Sequence, residues 1–268
     1  MQFGPFGKPS LGVCFDAAFG ENIEDVVALA LLYALDNRNE CRVVSLSTTL
    51  ENLDSAGLMN SFNRVYGGRP MPVGMPYEKK PVPTPPLLKA MVEGLDTGVQ
   101  SFKDTAEPHN LLRNTLTAQH DGNATILSLG PQKNLHDLLH LYAAKPWVQS
   151  KVLFLMQVKP DVPKDWPSPT NTPTAADAEG VVLDLKPEAF AWENSPWTDK
   201  HPLAKALTFN AGKPINPLPA LAVLATVRAK DFSFPLSAEK KAEAKKIIEE
   251  FVPAKPIPRA PRRRPPMV

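Results

Sequence analysis

The sequence predicts an α/β fold with three layers, in which a mostly parallel sheet is flanked by helices. Short apolar runs alternate along the chain with longer segments that have helical spacing. Strands separated by helices in this way favour right-handed βαβ units, which build parallel sheets. Hydrophobic residues make up 43% of the 268 residues, so the chain has enough apolar side chains for a sizeable core.

Five apolar runs are predicted to be strands. Each is short, as is usual for strands that are buried inside an α/β domain. In chain order they are Leu11–Phe15, Arg42–Ser47, Pro72–Met75, Ala124–Leu129 and Lys151–Met156.

Helices are predicted between and after these strands. In Glu21–Asp36 the apolar residues recur with helical spacing, Asn22 suits the N-cap, and Asp25 lies three residues further on, much as in a capping box. The other predicted helical segments are Leu53–Tyr66, Pro86–Leu95, Asn110–Gln119, Pro131–Ala143, Pro187–Trp192, Pro219–Val227 and Ser237–Phe251.

The end of the chain differs in composition from the rest. Residues 1–251 are predicted to form one α/β domain, and residues 252–268 a Pro- and Arg-rich extended tail. The tail has six prolines, five basic residues and no acid, which favours a polyproline-like conformation. It is either a solvated tail or a segment that packs on a partner subunit or an acidic surface.

Charge and hydropathy exclude several classes of function. The 30 Lys and Arg residues nearly balance the 28 Asp and Glu residues, so the net charge of +2 gives no electrostatic case for nucleic-acid binding. No apolar run reaches the roughly 18 residues of a membrane span. The first residues, MQFGPFGKPS, lack the layout of a secretory signal. We therefore expect a cytoplasmic protein without membrane or nucleic-acid partners, or an exported one if a leader has been removed.

Acidic residues are densest just after the first predicted strand, where Asp16, Glu21, Glu24 and Asp25 fall within ten residues. The start of the following helix favours ionised carboxylates. Carboxylates that converge at a strand end are ligands for a hard cation such as calcium. The alternative interpretation is a capped and solvated start of a helix.

Four segments, taken together and in order, resemble the inosine–uridine nucleoside hydrolase family. FDAAFGENIEDVVALALLYAL is similar to the family's opening strand, its D-x-D motif and the D-D pair that leads into a helix. The later segments are similar to the second strand with its "YG…PV" stretch, to the strand that ends in "GPLTN", and to the "MGG…AE-F-N" region. In this chain they read RVVSLSTTLENLDSAGLMNSFNRVYGGRPMPVG, ILSLGPQKNLHDLL, and KVLFLM followed by AEGVVLDLKPEAF.

The resemblance implies a site and a chemistry. Members of the family bind one calcium ion that holds the attacking water and the ribose diol, and a carboxylate takes the proton from the water while the base leaves. Carried over by position, Asp16 and Glu24 are the candidate catalytic residues. Asp25 and the backbone carbonyl of Leu129 are the candidate metal ligands. The resemblance also suggests Asn52 and Glu179 as substrate-binding residues, although turn chemistry is an equal explanation for Asn52.

The chain departs from the family pattern at positions that matter for this chemistry. The second Asp of D-x-D, which is the family's general base, falls on Ala18, and the Asn that binds ribose falls on Val181. Gln157 and Val158 replace paired glycines, and the stretch around Pro219 has no carboxylate where the family has a late Asp ligand. Calcium is expected for the family, but we expect it to be absent or weakly bound here.

Two functions therefore remain open at the level of sequence. One is hydrolysis of the N-glycosidic bond of a ribonucleoside by a modified acidic site. Because this site departs from the family pattern, the family mechanism would be impaired. The other is a non-catalytic protein on the same fold that binds a nucleoside or sugar or has a structural role. In both cases the resemblance suggests a homo-oligomer.

Overall fold

A computed structural model describes residues 10–67, 71–77, 82–159, 163–197 and 201–257. Its strands form one sheet in the order β3-β2-β1-β4-β5-β6, and all pairings are parallel. The predicted parallel α/β sheet is confirmed. The strands are β1 Gly12–Ala17, β2 Arg42–Thr48, β3 Val73–Gly74, β4 Ala124–Ser128, β5 Val152–Gln157 and β6 Thr170–Asn171.

Helices connect and cover these strands. Short 3-10 turns at Phe102–Asp104 and Pro187–Phe190, and a π turn at Asn63–Gly67, complete the described secondary structure. The helices are α1 Ile23–Asn37, α2 Leu53–Phe62, α3 Pro86–Val92, α4 Pro108–Thr117, α5 Lys133–Leu139, α6 Ala144–Lys151, α7 Ala175–Ala178, α8 Pro202–Asn210, α9 Leu218–Val227 and α10 Ala238–Phe251.

The alternation of side chains along β1 separates two cores. Val13 and Phe15 belong to a large buried cluster that includes residues of α1, α2, α8, α9 and α10. Cys14 points to the opposite face and packs in a second cluster with residues of α4, α5 and α6. Because successive side chains of a strand point to opposite faces, the sheet lies between two helical layers. This confirms the predicted three-layer arrangement. None of the helices in the described ranges is long and apolar enough to cross a membrane.

The helix predicted over Pro131–Ala143 is wrong at its start and its end. Helix α5 begins at Lys133, because the residues before it form the turn that contacts the end of β1. Ala143 has a left-handed backbone with φ 54°, which separates α5 from the unpredicted helix α6. Helix α8 and the two-residue strand β6 were also missed, since neither has a long periodic pattern in the sequence.

The first part of the Pro-rich tail packs on the domain. Val252 is fully buried, the indole Nε1 of Trp192 donates to the carbonyl of Pro253 over 2.9 Å, and the amide of Ile257 donates to Asn37 Oδ1 over 3.1 Å. Residues 258–268, which carry most of the tail's arginines, lie outside the described residues.

The ends of β1 and β4 meet at Gly130, where the backbone of one segment touches that of the other. A Cβ at Gly130 would lie 2.6 Å from the Ala18 nitrogen and 3.1 Å from the Ala17 carbonyl carbon. Both atoms belong to the backbone, so no change of rotamer could relieve the contact. Glycine at this position therefore sets how closely the loop after β4 approaches the end of β1.

We predict that Gly130→Ala lowers the free energy of unfolding by about 2 kcal/mol or more, because overpacking against backbone forces a shift of the main chain. Gly12→Ala is the matched control, since its Cβ would meet side-chain atoms only, the nearest being Gln119 Oε1 at 3.1 Å. Urea denaturation followed by circular dichroism measures both variants. Equal stability of the two variants would contradict the close approach at Gly130.

Candidate functional site

A row of polar side chains crosses the sheet at the carboxyl ends of its central strands. Asp16 of β1 is paired in register with Ser47 of β2 on one side and with Ser128 of β4 on the other, and Ser128 is paired with Gln157 of β5. All four residues are buried. We call these four residues the polar row. Parallel strands present their carboxyl ends at one edge of the sheet, which is where open α/β sheets bind ligands.

Asp16 is the only carboxylate of the polar row. Its Oδ1 accepts hydrogen bonds from Ser47 Oγ at 2.6 Å and from Asn134 Nδ2 at 2.7 Å. Its Oδ2 has no hydrogen-bond partner among the described residues. Burial raises the pKa of Asp16 to about 6, and the contacts with Ser47, Asn134 and Ser128 lower it only in part. One oxygen of this buried carboxyl group is therefore held by two donors. The other lacks a hydrogen bond of good geometry, although the Ser128 hydroxyl lies close enough to lower the pKa of Asp16.

The segment after β4 wraps around Asp16. The amide of Leu129 donates to the Asp16 carbonyl over 2.8 Å, and Asn134 reaches back to the Asp16 side chain and also donates to the Thr48 carbonyl over 3.1 Å. Gln132 lies between these two anchoring points and is 1% exposed. The segment Leu129–Asn134 is therefore fixed to the end of β1 at both of its ends, and Gln132 is buried within it.

Several buried polar atoms at this edge have no hydrogen-bond partner in the described part of the chain. They include both amide atoms of Gln132, Gln157 Oε1, Ser128 Oγ and Glu51 Oε1, in addition to Asp16 Oδ2. A buried polar group without a partner costs about 1–3 kcal/mol. Such groups are normally satisfied by a ligand or by ordered water. They belong to residues at or just beyond the carboxyl ends of β1, β2, β4 and β5, which makes this edge of the sheet the candidate binding site.

The predicted acidic cluster at the start of α1 is used partly for capping. Asn22 is the N-cap, as predicted, and accepts from the Asp25 amide over 2.9 Å while its Nδ2 donates to Asp25 Oδ2 over 3.1 Å. Asp25 is buried, and burial raises the pKa of its carboxyl group to about 7; Glu24 and Glu21 raise it further, whereas Asn22 and the Lys159 cation lower it. Glu24 Oε1 accepts from the amide of Asn216 over 3.2 Å, which joins α1 to the segment before α9.

The two residues suggested as substrate-binding groups lie in structural positions. Asn52 is the N-cap of α2: its Oδ1 accepts from the amides of Asp54 and Ser55, and its Nδ2 donates to the Val82 carbonyl and to Thr84 Oγ1. Glu179 follows α7, its side chain is exposed, and its carbonyl accepts from Lys241 Nζ. Their suggested contacts with a substrate stay predictions.

The residues at the site do not fit the calcium set that the resemblance implies. Across the described residues, no three His, Cys, Asp or Glu side chains form a group that could hold a metal ion. Ala18 is buried at the position of the second carboxylate, and Asn216–Leu221 contributes no acid.

A cavity of 320 Å³ lies away from the polar row, between Pro187–Phe190 and α8, and is lined by Phe190, Trp192 and His201 among others. His201 Nδ1 accepts from the amide of Leu203 over 3.0 Å, and its Nε2 lies 2.8 Å from the Tyr66 hydroxyl. Burial lowers the pKa of His201 to about 3, so its ring is neutral at physiological pH. Because both ring nitrogens are engaged, His201 leaves no open polar atom for a ligand.

Solved structures with this fold share little sequence with the chain. The effector protein XOO4466 has a TM-score of 0.69 and 12% identity, over 93% of this chain and 95% of its own. The type III effector protein XopQ complexed with adenosine diphosphate ribose has a TM-score of 0.53 and 13% identity, over 91% of this chain and 75% of its own. An inosine-guanosine nucleoside hydrolase has a TM-score of 0.57 and 10% identity, over 90% of this chain and 97% of its own.

These similarities establish the fold. The six-stranded parallel sheet with flanking helices is a nucleoside hydrolase-like fold, as the sequence predicted. No protein-family model matches the chain, and no curated protein sequence matches it.

Sequence reasoning found Asp16 but missed most of the groups that surround it. Ser128 was predicted only as part of a buried strand. Gln132 and Asn134 fall in the segment after that strand, where α/β sheets bind ligands, but neither was given a role of its own. The available signal was the polarity of two residues. Gln132 and Gln157 occupy positions where the family motifs "GPLTN" and "MGG" have residues without polar side chains. A large amide in place of leucine or glycine at a buried strand end indicates a local change of chemistry.

We predict that Asp16→Asn stabilises the protein at neutral pH relative to the wild type. The pKa of Asp16 is raised in the folded state from 3.8 to about 6, so the folded chain binds more protons between these values, and the free energy of unfolding falls as pH rises through this range. Asparagine keeps the acceptor for Ser47 and Asn134 but does not ionise. The stability difference in favour of the variant should grow by about 2 kcal/mol between about pH 4 and pH 8.

Chemical denaturation of the wild type and the variant over this pH range measures the difference. A difference that does not change with pH would show that the pKa of Asp16 is ordinary.

Proposed function

We propose that this protein binds a small molecule that carries a ribosyl group at the polar row, and that it does so without the calcium-assisted hydrolysis of the family that it resembles. The observation that supports the proposal is the set of buried polar atoms without partners around Asp16. Buried polar atoms without hydrogen-bond partners destabilise the free protein, and a ligand with hydroxyl groups would supply these partners.

The structural neighbours favour a ribosyl ligand over other small polar molecules. XopQ is described as complexed with adenosine diphosphate ribose, and another neighbour is described as an inosine-guanosine nucleoside hydrolase. The ribosyl group is common to these molecules, whereas the base and the phosphates differ between them. The polar row lies on the same fold, at the strand ends where α/β sheets bind ligands. A nucleoside-type ligand is therefore the best hypothesis.

The identity of the residue at position 18 argues against hydrolysis. Ala18 is 2% exposed and has no group that could take a proton or hold a cation where the family has its general base. Loss of a positioned general base typically lowers the rate by about 10²–10⁴. The protein would then keep a ribosyl ligand bound without cleaving it.

Hydrolysis is a second candidate function, and the pKa of Asp16 favours it. A buried carboxyl group whose pKa is raised to about 6 is mostly ionised at neutral pH and can accept a proton from water. In this case Asp16 would act as the general base, and the N-glycosidic bond of a nucleoside would be cleaved.

We predict that ADP-ribose or inosine raises the melting temperature of the wild-type protein, because a ligand that binds the folded state adds about 2.7 kcal/mol of stability at a concentration of 100 Kd. Asp16→Asn replaces the open acceptor by a donor and should weaken binding at least tenfold. Asp121→Asn is the control, since Asp121 lies at the opposite end of β4 and its side chain is 75% exposed. Thermal melting and titration calorimetry measure both effects.

The same samples distinguish the two candidate functions. Inosine incubated with the wild type should show no release of hypoxanthine, with or without calcium. Turnover that Asp16→Asn abolishes would support hydrolysis, and the absence of any ligand-induced shift would remove the binding function.

A further inference from the structure

We propose that two buried glutamines, Gln132 and Gln157, replace the cation at this site, so that a vicinal diol is bound by neutral hydrogen-bonding groups independently of calcium. The inference rests on the proposed function and specifies how the ribosyl group is held. Its structural basis is that Gln157 is paired in register with Ser128, that Gln132 lies in the segment whose ends bond to Asp16, and that buried amide atoms of both residues have no partner among the described residues.

Gln132 lies in the segment between two residues that bond to Asp16. Leu129 and Asn134, on either side of it, both bond to Asp16, and Gln132 itself is 1% exposed. Neither its Nε2 nor its Oε1 has a partner among the described residues. A buried primary amide with both functional atoms open can donate and accept at the same time, as a hydroxyl group requires.

Gln157 has only its acceptor open. Its Nε2 donates to Thr172 Oγ1 over 2.8 Å, which fixes the orientation of the amide, and its Oε1 has no described partner. Gln157 is the neighbour of Ser128, which is the neighbour of Asp16. Adjacent strands lie about 4.8 Å apart, so Gln157 and Asp16 are separated by about 10 Å across the row. This distance can accommodate a sugar ring with hydroxyl groups on either side.

The open atoms match a diol better than a cation. Asp16 Oδ2 and Gln157 Oε1 accept hydrogen bonds, the Ser128 hydroxyl can donate or accept, and Gln132 Nε2 donates. Each hydroxyl of a diol needs one acceptor and offers lone pairs to a donor. A divalent cation needs several oxygen ligands, mostly anionic. The polar row supplies one carboxylate, and among the described residues no three His, Cys, Asp or Glu side chains form a group that could hold a metal ion.

The experiment measures stability and binding in the same variants. Gln132→Met keeps the length of the side chain and removes both open polar atoms. If the amide is open in the free protein, this variant should melt at a higher temperature than the wild type, and it should bind inosine at least tenfold more weakly. Gln157→Met should weaken inosine binding similarly and provides a second test if one variant folds poorly.

Thr125→Val is the matched control. Thr125 Oγ1 is also buried without a described partner, but it lies on β4 three residues before Ser128 and away from the carboxyl edge. Its replacement should leave inosine binding unchanged.

Ligand and metal are varied in parallel. The wild type should bind inosine at least tenfold more tightly than 2′,3′-dideoxyinosine, because polar groups that the ligand leaves unpaired oppose binding. Gln132→Met should lose most of this discrimination. Affinities measured in EGTA and in calcium chloride should agree within about twofold.

The possible failures are distinguishable. If the wild type binds neither inosine nor ADP-ribose, the proposed function fails and the inference fails with it. If the wild type binds but calcium strengthens binding more than tenfold, or if Gln132→Met binds normally, the inference alone is overturned. A lower melting temperature of Gln132→Met would also overturn it, since the amide would then be satisfied within the free protein.

Discussion

The burial of the Asp16 carboxyl group between two donors organises the site. Ser47 comes from β2 and Asn134 from the start of α5, so a neighbouring strand and the helix after β4 are both tied to one oxygen atom at the end of β1. The close contact of Gly130 with the backbone of Ala17 and Ala18 draws the loop after β4 onto the same strand end. A carboxyl group in this environment is costly to ionise, and its second oxygen stays available.

The residues around Asp16 differ from those of a typical metal-binding site. A cation site gathers several carboxylates, whose mutual repulsion the ion relieves. Here the residues of the polar row beside Asp16 are two serines and a glutamine, and Asp25, another buried acid, is bonded to the N-cap Asn22. We propose that the polar row binds its ligand through hydrogen bonds to the protein and not through a bound cation.

The fold could be predicted from sequence because its signals are local. Apolar runs separated by amphipathic segments specify a parallel sheet, and the cap at Asn22 fixes the start of α1. The start of the helix after β4 was predicted wrongly. It depends on a backbone contact between Gly130 and Ala18, which lie far apart in the sequence. Only part of the site could be predicted, because only part of it has a local signal in the sequence. Asp16 stands at a strand end, but the pairing of Ser128 and Gln157 with it follows from sheet register, which periodicity does not specify.

The most direct test is a crystal structure of the protein grown with both ADP-ribose and calcium. The account predicts a hydroxyl oxygen of the ligand within about 3 Å of Asp16 Oδ2 and of the Gln132 amide, with no metal ion between ligand and protein. A divalent ion bound by Asp16 and Asp25 would contradict the account. So would a ligand in the cavity beside Trp192 with ordered water along the polar row.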